Sequence, residues 1–131
     1  MIEFDTLKYE KVEVSNDLLT SAEEAGYTYL HCTYTVNKEG GAWINIWKSS
    51  YLVNDGVELK LVDAVNIPYS PEKHILFNFG DTFNFTLIFP AVPKDWATFD
   101  FIERCENNIT GFNIKNIVRN ETGAYRVRVT F

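Results

Sequence analysis

Apolar and polar residues alternate along most of this chain, and turn-forming residues separate the alternating runs. The alternation is most regular in residues 27–36, 83–89 and 125–131, where every second side chain is apolar. Because successive side chains of a strand point to opposite faces, this period predicts strands with one buried and one solvated face. We expect eight or nine short strands from the ten alternating runs. The shorter or less regular runs occupy residues 9–14, 43–48, 51–53, 58–62, 74–79, 98–103 and 112–118.

Turn signals between the runs indicate how the strands are connected. Asp55-Gly56 predicts a tight hairpin, because both residues tolerate positive φ angles. The prolines within residues 67–71 lack a backbone donor, so this segment belongs to an edge or a crossover loop. Residues 16–26 break the alternation and predict a loop with at most a short helix. Many short strands without a long helical pattern predict an all-β protein, either a sandwich or a barrel.

Composition fits one globular domain without a nucleic-acid partner. The 131 residues match the usual size of a single domain, so we expect one β-sandwich domain over residues 1–131. The formal net charge is −6, and such a surface gains nothing from releasing counterions around phosphate backbones. No apolar run reaches the length of a transmembrane helix. We therefore expect neither nucleic-acid binding nor membrane insertion by this chain.

The cysteines and the N-terminus leave the cellular compartment open. Cys32 falls on the apolar side of its run, which is typical of a small buried residue. Whether it pairs with Cys105 depends on a geometry that the sequence does not give. No signal peptide is present, which fits an exported protein whose leader has been removed and also fits a cytosolic protein.

The sequence holds no constellation that is typical of catalysis or metal binding. It has two histidines, His31 and His74, and His31 points away from the adjacent Cys32 in a regular strand. A nucleophile elbow, a phosphate-binding loop and an EF-hand loop are all missing. We therefore expect no enzymatic activity and no catalytic, metal-binding or cofactor-binding residue.

Aromatic residues supply the candidate ligand-binding positions. Flat aromatic side chains on a β-sandwich can stack against sugar rings, since they combine apolar area with a polar tip. Large aromatics also serve as core residues, and this second interpretation is favoured for the tryptophans here. The candidate ligand-binding residues are Trp43, Trp47, Tyr51 and Trp96.

Three segments carry a resemblance to a known family. Residues 85–94 (FTLIFPAVPK) and 99–103 (FDFIE), followed by residues 112–114 (FNI), resemble small immunoglobulin-like domains of bacterial exported or lipid-anchored proteins. These domains sometimes precede a thioredoxin-like domain. The resemblance covers roughly residues 9–118, and the strand at 125–131 is additional. It implies an immunoglobulin-like sandwich and export, and it carries over no catalytic or ligand-binding residue.

A second, looser similarity involves the last predicted strand. Residues 121–125 (ETGAY) resemble the tyrosine corner of immunoglobulin-type domains, in which a tyrosine hydroxyl bonds to the backbone upstream. In that family the tyrosine lies in the penultimate strand, whereas Tyr125 lies in the last one.

Together these features predict an immunoglobulin-like antiparallel β-sandwich of eight or nine strands, acting as a non-enzymatic module of the bacterial cell envelope. The expected location is the periplasm or the cell surface, with a cytoplasmic location left open. The expected partner is a protein, for which this domain serves as a binding or accessory module. One alternative is a carbohydrate-binding module that uses exposed aromatics. A second is a small enzyme with a site built around His31 or His74.

Overall fold

The computed structural model describes residues 26–37, 39–76, 78–104 and 112–129, together with the backbone of residues 8–11. These residues form an all-β structure without helices. The strands are β1 (Lys8–Lys11), β2 (Tyr27–Thr35), β3 (Ala42–Ile44), β4 (Tyr51–Asn54), β5 (Val57–Lys60), β6 (Asp63–Val65), β7 (His74–Leu76), β8 (Thr82–Pro90), β9 (Thr98–Ile102), β10 (Asn113–Val118) and β11 (Ala124–Val129).

The strands are arranged in three sheets. A five-stranded sheet has the order β1-β11-β2-β8-β6, and a four-stranded sheet has the order β10-β9-β4-β5. Strands β3 and β7 form a separate two-stranded sheet. All neighbouring strands are antiparallel except β11 and β2, which are parallel.

The pairing of β2 with β8 is the longest in the protein. It runs without interruption from Tyr27 opposite Pro90 to Thr35 opposite Thr82. Both strands alternate as their sequences predict, with Leu30 and Leu87 on the buried side. Since one residue of slippage would move the whole apolar set to the solvent side, the alternation fixes this register.

The core lies between the five-stranded and the four-stranded sheets. Phe89 of β8 meets Phe101 of β9 edge to face, with ring centroids 5.8 Å apart. Phe99 of β9 meets Tyr125 of β11 in the same way at 5.4 Å. Aromatic pairs in this geometry are stabilised beyond the area that they bury, so they hold the two sheets face to face.

The observed strands correct several predictions. The sheets contain five, four and two strands, more than the eight or nine expected, and the β11–β2 pair is parallel where an antiparallel sandwich was expected. The short strand β6 was not predicted. The run over residues 43–48 forms a strand only as far as Ile44, because the backbone then leaves β7: the N–H of Ile46 donates to the carbonyl of Pro68 at 3.0 Å, and the N–H of Ser70 donates to the carbonyl of Ile46 at 2.8 Å.

Other boundaries agree more closely. The Asp55-Gly56 hairpin joins β4 to β5 with positive φ angles of 46° and 79°. The first strand is described over Lys8–Lys11 and overlaps the predicted run at 9–14, and the predicted run at 74–79 ends as a strand at Leu76. Residues 12–14, the predicted loop at 16–25 and Cys105 lie outside the described residues.

Candidate functional site

The four aromatic candidates do not share one surface. Trp96 is 7% exposed and belongs to the core, the interpretation that the sequence favours for the tryptophans. Trp43, Trp47 and Tyr51 are half-buried. Trp43 lies in β3 of the two-stranded sheet, and Tyr51 lies in β4 of the four-stranded sheet. These three residues stay candidates for ligand binding, but on separate elements.

Cations already cover one face of two of these rings. Lys73 Nζ lies 4.3 Å from the centroid of the Trp43 ring. Arg104 Cζ lies 4.2 Å from that of Tyr51, and the same guanidinium pairs with Glu58 at 2.9 Å. A sugar that stacked on these covered faces would first have to displace the cation.

The histidines lie apart, in β2 and in β7. His74 stacks on Phe83 with ring centroids 4.4 Å apart. His31 Nδ1 lies 2.9 Å from the Thr86 hydroxyl. Within the described residues neither histidine has a carboxylate hydrogen-bond partner, and no three His, Cys, Asp or Glu side chains cluster as metal ligands. The geometry of a catalytic triad is therefore not assembled in this part of the chain.

A polar surface covers the outer side of the five-stranded sheet. We call it the basic face and define it by His31, Thr33, Asn84, Thr86, Arg126 and Arg128. Register places these side chains in two rows across β11, β2 and β8. One row is Arg126, His31 and Thr86, and the other is Arg128, Thr33 and Asn84. Side chains in register on one face are direct neighbours, so the two rows form one continuous surface.

The basic face is concave. The depression above it has a volume of about 820 Å³, and Val65 and Asn66 at the end of β6 contribute to its wall. Asn66 has a φ angle of 63° and donates from Nδ2 to the backbone carbonyl of Asn84 at 2.5 Å. The depression places the polar side chains of β2, β8 and β11 around one shared space.

Hydrogen bonds hold the middle of the basic face in place. The Thr33 hydroxyl donates to Asn84 Oδ1 at 2.8 Å, and His31 Nδ1 pairs with Thr86 Oγ1. Nε2 of His31 is shielded from solvent and has no hydrogen-bond partner among the residues that the structure describes. Burial and, to a lesser degree, the charge of Arg126 hold the pKa of His31 below its ordinary value. The imidazole is thus kept neutral beside a fixed cation.

The two arginines of the basic face point into solvent without an ionic partner among the described residues. The ion pairs among the described residues join Arg104 to Glu58 and Lys115 to Asp100, and both lie away from the basic face. In β1, the backbone register places Glu10 opposite Arg126 and Lys8 opposite Arg128. Both charged side chains of the basic face as defined are arginines, so the face is locally positive in a chain of net charge −6.

A buried carboxyl group, that of Glu103, lies directly after β9 in the chain. Glu103 is 6% exposed, and its Oε1 accepts a hydrogen bond from the backbone N–H of Phe112 at 3.1 Å. Burial raises the pKa of Glu103 to about 7, although backbone N–H donors at Phe112 and Trp47 act in the opposite direction. Its partners are backbone groups that join two loops, so its role is structural.

One part of the basic face was visible in the sequence. Arg126 and Arg128 alternate with apolar residues in the last run, which identifies them as outward-facing. Their placement beside His31 depends on β11 lying next to β2, although 88 residues separate the end of β2 from the start of β11. No local pattern reports such a contact, so the site was missed.

The described part of the chain contains no helix that is long and apolar enough to cross a membrane. Comparisons with protein-family models, with curated proteins and with solved structures gave no match to this chain.

Proposed function

We propose that this protein is a non-enzymatic binding module that engages a protein partner through the basic face. The observation that carries the proposal is the concave surface with Arg126 and Arg128 free of ionic partners among the described residues. Exposed arginines on a rigid sheet can donate several hydrogen bonds at a small entropic cost, and arginine is enriched at interfaces. Binding needs only this surface and no reacting group.

The strand order supports an immunoglobulin-like sandwich as the scaffold. Immunoglobulin constant-type domains pair strands A, B, E and D in one sheet and C, F and G in the other. With β2 as strand B, the order β2-β8-β6 corresponds to B-E-D. The order β10-β9-β4-β5 corresponds to G-F-C-C′, where C′ is the strand that variable-type domains add beside C. In this assignment β11 occupies the place of strand A, but it runs parallel to β2.

The Tyr125 hydroxyl adds a second point of similarity to that family. Its oxygen accepts a hydrogen bond from the backbone N–H of Asn120 at 2.9 Å, five residues upstream. This is the contact that defines a tyrosine corner. Here the corner lies before β11, whereas in that family the tyrosine lies near the start of strand F, the position that β9 takes in this assignment.

A location in the bacterial cell envelope is part of the same proposal. Its support is the similarity of residues 85–94 and 99–103 to domains of exported and lipid-anchored proteins. Fractionation of cells that express the protein from its own gene tests this location. Recovery in the envelope or periplasmic fraction supports it, and recovery with cytosolic markers contradicts it.

Partner capture with matched variants tests the binding function. Purified protein is immobilised as the wild type, as Arg126→Gln/Arg128→Gln, and as the control Lys60→Gln/Lys94→Gln. The control removes the same charge at two exposed positions away from the basic face. Extract of the native organism is passed over each, and bound proteins are quantified by mass spectrometry.

We expect a partner that the wild type and the control retain and that the basic-face variant loses by about tenfold or more. Retention of the same proteins by all three forms would show that the basic face is not the binding surface. Saturable binding of a soluble glycan that depends on Trp43, Trp47 or Tyr51 would favour the carbohydrate-binding alternative.

A further inference from the structure

We propose that Arg126 and Arg128 bind two carboxylates of an extended acidic peptide segment, in which acidic residues occupy alternate positions. This inference rests on the proposed function and names the chemistry that the basic face would recognise. It is carried by the spacing of the arginines, by the polar side chains beside them and by the charge of the surface.

The spacing of the two arginines matches an extended peptide. Arg126 and Arg128 lie two residues apart on one face of β11, and both are exposed. Two residues of a strand span roughly 6.6–6.8 Å. A peptide that lies along β11 in the extended conformation presents every second side chain toward the sheet with the same repeat. Carboxylates at positions i and i+2 of such a peptide can therefore meet both guanidinium groups at once.

The neighbouring strand supplies groups that suit a peptide backbone. Thr33 lies in register with Arg128, and its hydroxyl keeps acceptor capacity after donating to Asn84 Oδ1. The Asn84 side chain amide adds a donor on the next strand. These groups line the same depression as the arginines. The backbone N–H and C=O groups of a peptide that lies over β11 and β2 could form hydrogen bonds with Thr33 and Asn84. A ligand that is bound through its charges alone would not use these two side chains.

The charge distribution favours a short acidic segment over a long polyanion. The chain as a whole has a net charge of −6, so an extended polyanion would be repelled by the surface beyond the basic face.

The test compares two peptides of the same composition. One is an octapeptide of alternating Glu and Thr, and the other has four Glu followed by four Thr, both blocked at their ends. Their affinities for the full chain are measured by calorimetry at low and at physiological salt. Shifts of backbone amide resonances in ¹H–¹⁵N spectra show where each peptide binds. The same spectra establish that the variants are folded.

We expect the alternating peptide to bind at least about fivefold more tightly than the block peptide, with shifts centred on β11 and β2. Arg126→Gln/Arg128→Gln should weaken it by about tenfold or more, and Lys60→Gln/Lys94→Gln should leave it unchanged. Equal affinity for both peptides would overturn the inference, as would equal or tighter binding of a polyuronate or an oligonucleotide of the same charge.

The acidic-peptide inference and the proposed function are contradicted by different results. If neither peptide binds but a native partner is still lost by Arg126→Gln/Arg128→Gln, the acidic-peptide inference is wrong and the proposed function stands. If no native partner depends on the basic face, the proposed function fails whatever the peptides do.

Discussion

Two titratable side chains, Glu103 and His31, are shielded from water, and in both cases burial favours the neutral form. For Glu103 this raises the pKa to about 7, and for His31 it lowers the pKa. The two shifts affect stability in opposite directions. Ionisation of Glu103 destabilises the fold as pH rises, whereas protonation of His31 destabilises it as pH falls. The protein is therefore expected to be most stable where both groups are neutral.

Substitution of Glu103 by Gln tests the first shift. The folded pKa of about 7 exceeds the unfolded value of 4.5, so the contribution of this group is complete below pH 4.5 and is lost as pH rises through 7. Ionisation of Glu103 lowers the free energy of unfolding by an amount on the order of 3 kcal/mol. Glu103→Gln keeps an oxygen acceptor for Phe112 and should be more stable than the wild type at pH 8, but not at pH 4.5. Urea unfolding at both pH values measures this, with Glu72→Gln as an exposed control.

A similar loss of stability in Glu103→Gln at both pH values would contradict the expectation. It would mean that the carboxylate is stabilised in the folded state by the two backbone N–H donors more than it is penalised by burial.

The influence of Arg126 on His31 gives a second prediction. Because the positive charge of Arg126 contributes to the lowered pKa of His31, Arg126→Gln should raise it. Burial remains in the variant and is the larger cause, so the pKa should stay below its ordinary value of 6.5. NMR titration of the His31 ring in the wild type, in Arg126→Gln and in the control Lys60→Gln measures the effect. An unchanged titration in Arg126→Gln would show that the guanidinium does not act on the imidazole.

At the level of single elements, strands were predictable where one face is buried and the other solvated. Strands β2 and β8 extend over nearly the residues that the alternation predicts, because both obey that condition along their whole length. The run at 43–48 also alternates, yet beyond Ile44 the backbone of Ile46 bonds to Pro68 and Ser70 instead of continuing the pairing with β7. Short β6 has only three residues, too few for a period to be recognised.

The candidate site was less predictable than the strands. The outward direction of Arg126 and Arg128 follows from their own run, but their neighbours Thr33 and Thr86 come from strands that are distant in sequence. Trp96 shows the converse problem. Its residue type suits a surface platform as well as a core, and only the packed structure distinguishes the two.

The loop before β11 provides a prediction for a whole element. Asn120 Oδ1 accepts hydrogen bonds from the backbone N–H groups of Thr122 and Gly123, and Nδ2 donates to the carbonyl of Ala124. Asn120→Ala removes all three and should reduce the free energy of unfolding by about 2–3 kcal/mol. Asn120→Asp keeps the oxygen that accepts the two backbone hydrogen bonds, so it should reduce the free energy of unfolding by a smaller amount. Asn78→Ala, at an exposed position, serves as the control.

Equal stabilities of Asn120→Ala and Asn78→Ala would show that the loop does not anchor β11. Chemical denaturation of the four proteins under the same conditions decides between the outcomes.

At the scale of the whole molecule, the strand latest in the sequence lies inside a sheet. Strand β11 separates β1 from β2 in the five-stranded sheet, and its buried side contributes Tyr125, Val127 and Val129 to the core. The immunoglobulin-like interpretation would treat it as an addition to a complete domain. Its position and burial predict instead that the domain depends on it.

A chain that ends at Arg119 tests this dependence. We expect it to lose the cooperative unfolding transition and the dispersed amide spectrum, because it lacks the shared neighbour of β1 and β2 and three core side chains. A synthetic peptide of residues 120–131, added in excess, should restore both signals. A shortened chain that unfolds cooperatively within a few degrees of the full chain would show that β11 is dispensable.

The interior position of β11 also constrains when the protein can fold. While a nascent chain is still missing residues 124–129, β2 has an open edge that carries hydrogen-bonding groups and an apolar side. Strand β1 then lacks its partner altogether, since it pairs with β11. The five-stranded sheet is completed only after synthesis has passed its last strand. The interval before that point is when an unfinished chain is most exposed to wrong strand pairing and to chaperones.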